Sequence, residues 1–241
     1  MTWHTQADYE LRFDWGLEGA MRLSSEADVT VVVDILSFST CVDVATANGA
    51  HVYPFPFKDD RAADFAEEIA GVCASPTRSK ERLCLSPRTL RRLESGSKLV
   101  LPSPNGSAIA FSVQSPSVLC GCLRNASAVA RKASALGNRI LVIAAGEQWP
   151  SAGLRPALED IIGAGAILSR LSGTRSPEAQ WAIQTFEQFS NDLRQTIRDS
   201  ASGRELLERG FPEDVDDAVE LDVSQGAPIL RDKAFILESD I

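Results

Sequence analysis

The sequence predicts an α/β fold with a mostly parallel sheet and a helix-rich C-terminal half. Short β-branched and aliphatic runs alternate with helical patterns between residues 29 and 144, as is typical of βαβ units. Helical patterns dominate after Gly146. Since no linker longer than a few Pro, Gly or Ser residues interrupts the chain, we expect residues 1–241 to form a single domain.

The first predicted unit begins with the β-branched run VTVVVD. We expect a strand over residues 29–36, a helix over 39–48 that stops at Gly49, and a second strand over 51–55. The unit places Asp34 where a buried strand gives way to a helix start, which is where open α/β sheets bind ligands.

A second unit follows the same order of strand, polar turn, helix, Gly and strand. Its strands cover residues 118–122 and 139–144, and its helix covers 125–136 with a stop at Gly137. We therefore expect parallel strands joined by right-handed helical crossovers.

The segments between and after these units complete the pattern. We expect helices over residues 60–71, 156–171 and 177–198, from Ser86-Pro87, and around Arg204 and Asp214; a loop over 75–80; and a strand over 98–101.

Charge and hydropathy exclude several classes of partner. Lys and Arg number 24 against 33 Asp and Glu, a net charge of -9, which repels nucleic acid and anionic membranes. No apolar run approaches the roughly 20 residues that span a bilayer, and no signal peptide is visible. Five cysteines without paired C-x-x-C spacing fit reduced thiols. We expect a cytoplasmic protein that binds neither nucleic acid nor membrane.

Two charged segments stand out. The basic segment over residues 78–92 is either a solvated surface or an arginine gate for an anionic substrate, with Arg88 the first candidate in it. Arg155 is a second source of positive charge near the expected site. The acidic residues after residue 212 are expected to form a solvated face.

Polar turns follow three predicted strands. They are residues 34–40, 103–107 and 145–147, and Glu159-Asp160 opens a helix soon after the third turn. In a parallel sheet such turns meet at one edge. Hydroxyls, backbone N–H groups and carboxylates together suit a phosphate group and a hard cation such as Mg²⁺.

The residue types at these turns divide into two groups. The expected Mg²⁺ ligands are Asp34, Glu147, Glu159 and Asp160, and the expected phosphate-binding residues are Ser37, Ser39, Thr40, Ser103, Asn105, Gly106, Ser107, Asn125 and Arg88. Structural roles compete with these assignments: Ser39 and Asn125 are also suitable helix caps, and Asn105-Gly106 is also a turn sequence.

Familiar catalytic signatures are missing. The chain has no P-loop, no G-x-G-x-x-G after a strand and no G-x-S-x-G elbow. His4 and His51 are its only histidines, too few for a His-based triad or a zinc centre. A serine hydrolase using Ser39 or Ser103 would therefore lack a histidine base.

Five blocks in a fixed order carry a family resemblance: VVVDILSFSTCVDVATANGA, LVLPSPNGSAIA, GCLRNASAVA, ALEDIIGAGAIL and GFPEDVDDAVELDVSQGAPIL. From about Trp15 to the C-terminus the chain resembles the 2-phosphosulfolactate phosphatases, the Mg²⁺-dependent enzymes of coenzyme M biosynthesis. The resemblance implies a three-layer α/β/α fold and hydrolysis of a phosphate ester on a small hydroxy acid. Residues at its motif positions are Asp34, Asn105, Gly106, Asn125, Glu159 and Asp160.

The chain departs from the family pattern at two places. Ser37 and Ala108 stand where the pattern has arginines, and the loss removes two bidentate partners for an anion. Arg88, Arg124 and Arg155 are the candidates to replace them, and the reaction type can persist with a changed substrate.

The sequence-based hypothesis is a Mg²⁺-dependent phosphatase for 2-phosphosulfolactate or a related phospho-hydroxy acid. Asp34, Asn105, Glu159 and Arg155 are its expected catalytic residues. Metal-bound water is the preferred nucleophile, and an aspartyl-phosphate at Asp34 is the chemical alternative. A non-catalytic protein that binds small anions is the competing class. The expected partner is a small anionic phosphorylated substrate, and a homodimer is left open.

Overall fold

The computed structural model describes residues 3–57 and 59–238, which contain one large mixed sheet and a small hairpin. The nine strands of the large sheet lie in the order β1-β7-β2-β6-β10-β11-β3-β5-β4. Their bounds are β1 Leu11–Trp15, β2 Val29–Val33, β3 His51–Phe55, β4 Val72–Cys73, β5 Lys98–Pro102, β6 Ser117–Gly121, β7 Ile140–Ala144, β10 Ile229–Arg231 and β11 Ala234–Ile236. The hairpin pairs β8 Glu147–Gln148 with β9 Leu154–Arg155.

Four strands form a parallel half of the sheet. β1, β7, β2 and β6 are all parallel, and Val31 of β2 lies between Leu119 of β6 and Val142 of β7. The central strands β2 and β7 are almost wholly apolar, as expected where helices cover both faces of a sheet. Val31 and Val33 contact one core, and Val32 contacts the other.

The other half of the sheet runs in the opposite sense. β3, β5 and β4 are parallel to one another, and the antiparallel hairpin of β10 and β11 joins them to β6. Three antiparallel pairings in succession reverse the strand direction. The sequence pattern predicted a parallel βαβ unit from residues 29–55. That prediction is wrong, because β3 pairs with β5 and β11 and lies in the other half of the sheet from β2. The second predicted unit is confirmed as parallel, with β2 between its two strands.

The sheet is strongly curved. Five strand steps separate β2 from β5, about 24 Å in a flat sheet, yet Gly106, four residues after β5, donates a 2.9 Å hydrogen bond to Asp34, directly after β2. Val32 and Leu101, from the two halves, also share one core cluster. The curvature brings the ends of β2 and β5 to one place.

Eleven helices lie within the described ranges, and those beside the parallel half form two layers. Their bounds are α1 Gly16–Leu23, α2 Phe38–Ala47, α3 Arg61–Glu68, α4 Pro87–Leu90, α5 Gly106–Ser112, α6 Ala126–Leu136, α7 Leu158–Leu168, α8 Pro177–Phe189, α9 Leu193–Asp199, α10 Ala201–Glu208 and α11 Pro212–Ala218. Residues of α6, α7 and α8 pack on one face, and residues of α1, α2 and α5 pack on the other. This arrangement confirms the α/β/α architecture.

Several element boundaries differ from those predicted. The helix expected over residues 177–198 is divided into α8 and α9 by a 3₁₀ turn, Ser190–Asp192. β1, α1 and the C-terminal hairpin of β10 and β11 were not predicted, although residues 11–15 alternate between apolar and polar side chains and α1 is amphipathic. Among the residues that the structure describes, no helix is both long enough and apolar enough to cross a bilayer.

Candidate active site

A cavity of about 160 Å³ lies at the edge where β2, β5 and β7 end. It combines residues from five separate parts of the chain. Its lining includes Asp34, Leu36, Ser37, Arg78, Leu85, Ser103, Pro104, Asn105, Glu147, Ser202, Glu205, Leu206 and Arg209. Asp34, Ser37, Ser103, Asn105 and Glu147 in this set were predicted as site residues. Arg78 and the residues of α10 were not.

Backbone N–H groups fix the Asp34 carboxylate at the wall of the cavity. Oδ1 accepts a hydrogen bond from the N–H of Phe38 at 3.1 Å, and Oδ2 accepts one from the N–H of Gly106 at 2.9 Å. A Cβ built on Gly106 would lie 2.3 Å from Cδ1 of Phe38 and 2.8 Å from Oδ2 of Asp34. Glycine at position 106 is therefore needed for the backbone to approach Asp34 this closely.

Asp160 is buried behind the turn that carries Asp34. Its Oδ1 accepts from the N–H of Ile35 at 2.7 Å, and its Oδ2 accepts from the N–H of Gly146 at 2.8 Å. The two bonds tie the end of β2 to the end of β7. Burial, followed by the charges of Glu159 and Asp34, raises the pKa of Asp160 well above its usual range. Asp160 thus links two strand ends behind Asp34.

Glu147 and Asn105 form a hydrogen-bonded pair on the cavity wall. Nδ2 of Asn105 donates to Oε2 of Glu147 at 2.9 Å. Burial raises the pKa of Glu147 to about 7, the charges of Asp34 and Glu159 add to the rise, and the bond from Asn105 and the charge of Arg155 oppose it. The carboxylate therefore lies in a region of excess negative charge.

Arg155 and Glu159 lie next to the cavity rather than in its lining. Arg155 is paired across the small hairpin with Glu147, and it donates to Oγ of Ser202 at 3.2 Å. Glu159, in the first turn of α7, is 2% exposed and accepts a 3.4 Å bond from Ser200. Both residues contact the start of α10, so they are placed to hold that helix against the site.

The carboxylates fit a Mg²⁺ ion that is only partly coordinated by protein. Within residues 3–57 and 59–238, no three His, Cys, Asp or Glu side chains are grouped so that they could hold a metal by themselves. Mg²⁺ usually binds through one or two carboxylates and keeps water and phosphate oxygens as its other ligands. Asp34 and Glu147 reach the cavity. Burial is the main cause of the raised pKa of Glu147, and a cation would offset the charges of Asp34 and Glu159 that add to it.

Arg78 is the site residue that sequence reasoning missed. It donates to Oγ of Ser37 at 3.2 Å and forms an ion pair with Asp214 of α11. Its side chain is 9% exposed. The only signal in the sequence was its membership of the basic segment over residues 78–92, in which Arg88 had been the first candidate.

Arg88 is placed elsewhere. Its Nε lies 3.4 Å from Asp217 of α11, its side chain is 52% exposed, and it does not line the cavity. Arg124 is bound to Asp43 and Glu220 and does not line it either. Arg88, Arg124 and Arg155 were the candidates to replace the two arginines missing at positions 37 and 108. Of these three, only Arg155 lies next to the cavity.

Four predicted phosphate-binding side chains are buried and bonded to backbone. Ser39 accepts from the N–H of Asp34 and donates to Val32 O, and Thr40 donates to Ile35 O at 2.8 Å. The other two are Ser107, which donates to Leu101 O, and Asn125, which accepts from Cys122 N. None of the four lines the cavity, so these contacts favour structural roles. Asn125 is the N-cap residue of α6 as predicted, whereas Ser39 lies inside α2, whose N-cap is Ser37.

All five cysteines are free thiols. Burial raises the pKa of the Cys41 and Cys120 thiols, which disfavours the thiolate that a nucleophile requires.

Comparison with known proteins gives one consistent result. The profile of the 2-phosphosulpholactate phosphatase family matches residues 19–233. A 2-phosphosulfolactate phosphatase of Methanothermobacter thermautotrophicus is 28% identical over 229 residues, which are 92% of this chain and 96% of that protein. A probable 2-phosphosulfolactate phosphatase of Thermotoga maritima is 27% identical over 219 residues, 88% of this chain and 93% of the relative.

Proposed function

The chain belongs to the 2-phosphosulfolactate phosphatase family of phosphoric monoester hydrolases, and we propose that it hydrolyses the phosphate ester of a small hydroxy acid with Mg²⁺. The first candidate substrate is 2-phosphosulfolactate, with sulfolactate and phosphate as products. Phospholactate and phosphoglycolate are the related candidates. The metabolic setting proposed with the first substrate is coenzyme M biosynthesis.

One observation supports this proposal above the others. Asp34 lies in a small polar cavity with both carboxylate oxygens held by backbone N–H groups, from Phe38 and Gly106. A carboxylate that is fixed before substrate binds does not have to be reoriented during the reaction, and such preorganisation is a main source of catalysis.

The roles of the cavity residues follow from their contacts. Asp34 and Glu147 would hold the metal ion, and Ser103 and Asn105 would donate to phosphoryl oxygens. Asp160 and Glu159 would support these groups from behind, through the strand ends and α10. When bound, Mg²⁺ supplies charge neutralisation for the ester and lowers the pKa of a coordinated water.

Two nucleophiles are compatible with this geometry. We propose that water attacks the phosphorus, and the alternative is attack by the Asp34 carboxylate through an aspartyl-phosphate. A single turnover in ¹⁸O-water tests the covalent route. Label found first in the Asp34 carboxylate would require an aspartyl-phosphate opened by water at its carbonyl carbon and would exclude direct attack, whereas label in phosphate is the result expected for direct attack.

The decisive experiment measures phosphate release from 2-phosphosulfolactate, phospholactate and phosphoglycolate, with Mg²⁺ and with EDTA. We expect turnover with at least one ester, loss of turnover with EDTA, and recovery when Mg²⁺ is restored. Turnover that is unchanged by EDTA would show that hydrolysis does not require a metal ion, and the proposal of a phosphatase would still stand.

The same experiment tests the competing class. No turnover with any of the three esters, combined with thermal stabilisation of the protein by the same esters, would contradict a phosphatase. That result would favour a non-catalytic protein that binds small anions.

A further inference from the structure

We propose that Arg78 binds the acid group of the substrate that is not the phosphate, a carboxylate or a sulfonate. This inference rests on the proposed function, and it concerns which substrates the site accepts. Arg78 lies on the segment that joins β4 to α4, far in sequence from the strand ends that supply the carboxylates.

The charged residues of the cavity make Arg78 distinctive. Asp34, Glu147 and Glu205 are its acidic lining residues, and Arg78 and Arg209 are its basic ones. Arg209 is 52% exposed and paired with Glu205 one helical turn away, so water screens its charge. Arg78 is 9% exposed. Water therefore screens its charge less than that of Arg209, and the ion pair with Asp214 offsets only part of that charge toward a bound anion.

The guanidinium is held in place from behind. Asp214 pairs with Arg78, and its other oxygen accepts a 2.6 Å hydrogen bond from Oγ of Ser86. The ring of Phe211 lies 5.6 Å from the guanidinium carbon. A buried carboxylate and an aromatic ring thus restrict the arginine, which lowers the entropy lost when it binds a ligand.

Donor groups of Arg78 remain available to a ligand. In the part of the chain that the structure describes, Asp214 and Ser37 are its hydrogen-bond partners, which leaves three of the five guanidinium N–H groups. The planar arrangement of these groups matches the oxygens of a carboxylate or sulfonate. Ser37 carries a hydroxyl that can bind the same anion.

Two separate hydrogen-bonded pairs in the cavity lining suit the two ends of such a substrate. Glu147 and Asn105 are bonded to each other, and Arg78 and Ser37 are bonded to each other. A metal ion held by Asp34 and Glu147 would bind the phosphoryl group beside the first pair. The second acid group would then bind to Arg78, in the second pair.

A binding measurement without phosphate tests this assignment directly. Sulfolactate is titrated calorimetrically into the wild-type protein and into Arg78→Met. We expect the dissociation constant to rise by about 10- to 100-fold in the variant, as is usual for loss of a charged hydrogen-bond partner. Arg91→Met is the matched control, since Arg91 also pairs with α11, at Asp217, but lies outside the cavity. It should bind as the wild type does.

Kinetics separate failure of this inference from failure of the proposed function. In Arg78→Met we expect KM for 2-phosphosulfolactate to rise at least tenfold, with little change for glycerol 2-phosphate, which has no second acid group. An equal rise of KM for both esters would show that Arg78 binds the phosphate group, and it would overturn the inference. Unchanged binding and KM would overturn it as well, while phosphatase activity stayed intact.

A second variant guards against misfolding. If Arg78→Met shows an altered thermal transition, the binding measurement is repeated with Arg78→Lys. This variant keeps the charge and loses the planar set of donors. Weakened sulfolactate binding in a normally folded Arg78→Lys supports the assignment, and wild-type binding contradicts it.

Discussion

Two polar turns of this protein each lead from a buried strand into a helix, and they differ in their surroundings. The turn after β2 carries Asp34 and Ser37 into the cavity. The turn after β6 carries Arg124 and Asn125 and is covered by the C-terminal segment, where the N–H groups of Asp222 and Ser224 bond to its carbonyls. Position in the curved sheet therefore decides which polar turn meets solvent and substrate.

The connections that leave the two turns explain the difference. α2 leads from β2 to β3 in the opposite half of the sheet, whereas α6 leads from β6 to β7 in the same half. The crossing by α2 brings the end of β5 to the first turn, and Gly106 then contacts Asp34. The side chain of Asn125 instead bonds to Cys120 and Cys122, at the end of its own strand. In this fold the polar turn that lines the cavity is the one that a second strand end faces.

The largest effect is expected at the first turn, for Asp34→Asn. Asparagine keeps the size and one carbonyl oxygen but loses the charge that a cation and the reaction need. We expect phosphate release to fall by about 10²- to 10⁴-fold, with an unchanged circular dichroism spectrum. A loss smaller than tenfold would show that Asp34 is not at the reacting centre.

The next effect is expected where the two strand ends meet. In Gly106→Ala the new methyl group would overlap the Phe38 ring and crowd Asp34. We expect a loss of about 1 to 3 kcal/mol in the free energy of unfolding and about 10- to 100-fold in kcat from the displaced carboxylate. Urea unfolding and steady-state kinetics measure the two effects. A variant with normal stability and kcat would contradict the close approach.

The raised pKa of Glu147, after β7, predicts a pH dependence for the metal-free protein. The pKa of Glu147 is raised to about 7, and Asp34, Glu159, Arg155 and Asn105 surround it. Because its ionised form is disfavoured in the fold, its contribution to stability is full below its ordinary pKa of about 4.5 and is lost as pH rises through about 7. We expect about 1 to 3 kcal/mol less stability at pH 8 than at pH 5.5 in EDTA.

Melting curves with and without Mg²⁺ check this pH effect. Mg²⁺ should restore stability at pH 8 in the wild type, and Glu147→Gln should flatten the dependence. The same pH dependence in Glu147→Gln as in the wild type would assign it to another group.

The smallest effect on activity is expected at the second turn, for Asn125→Ala. The variant loses buried hydrogen bonds to Cys122 and Cys120, so we expect about 1 to 3 kcal/mol of lost stability. KM should stay within about threefold of the wild-type value, because Asn125 is outside the cavity. A rise of tenfold or more would instead support the phosphate-binding role that the family resemblance gave it.

The local elements were largely predictable because their signals are local. The run of β-branched residues before Asp34, the stop at Gly49 and the strand His51–Phe55 depend on neighbours within a few residues. Proximity of Asp34 to Asn105 and Gly106 was also predicted, from the rule that polar turns after strands meet at a sheet edge. The rule gave the right proximity although β5 runs in the opposite sense to β2.

Arg78 shows what required the tertiary structure. Its partners Ser37 and Asp214 lie 41 and 136 residues away along the chain, and no spacing rule links them. The sequence by itself determined the strands, the helices and the carboxylate at the end of β2, because hydrophobic period and turn chemistry act over short distances. Only the tertiary structure decided which turn faces the cavity and which arginine enters it, because strand order, sheet curvature and long-range ion pairs arise from packing between distant segments.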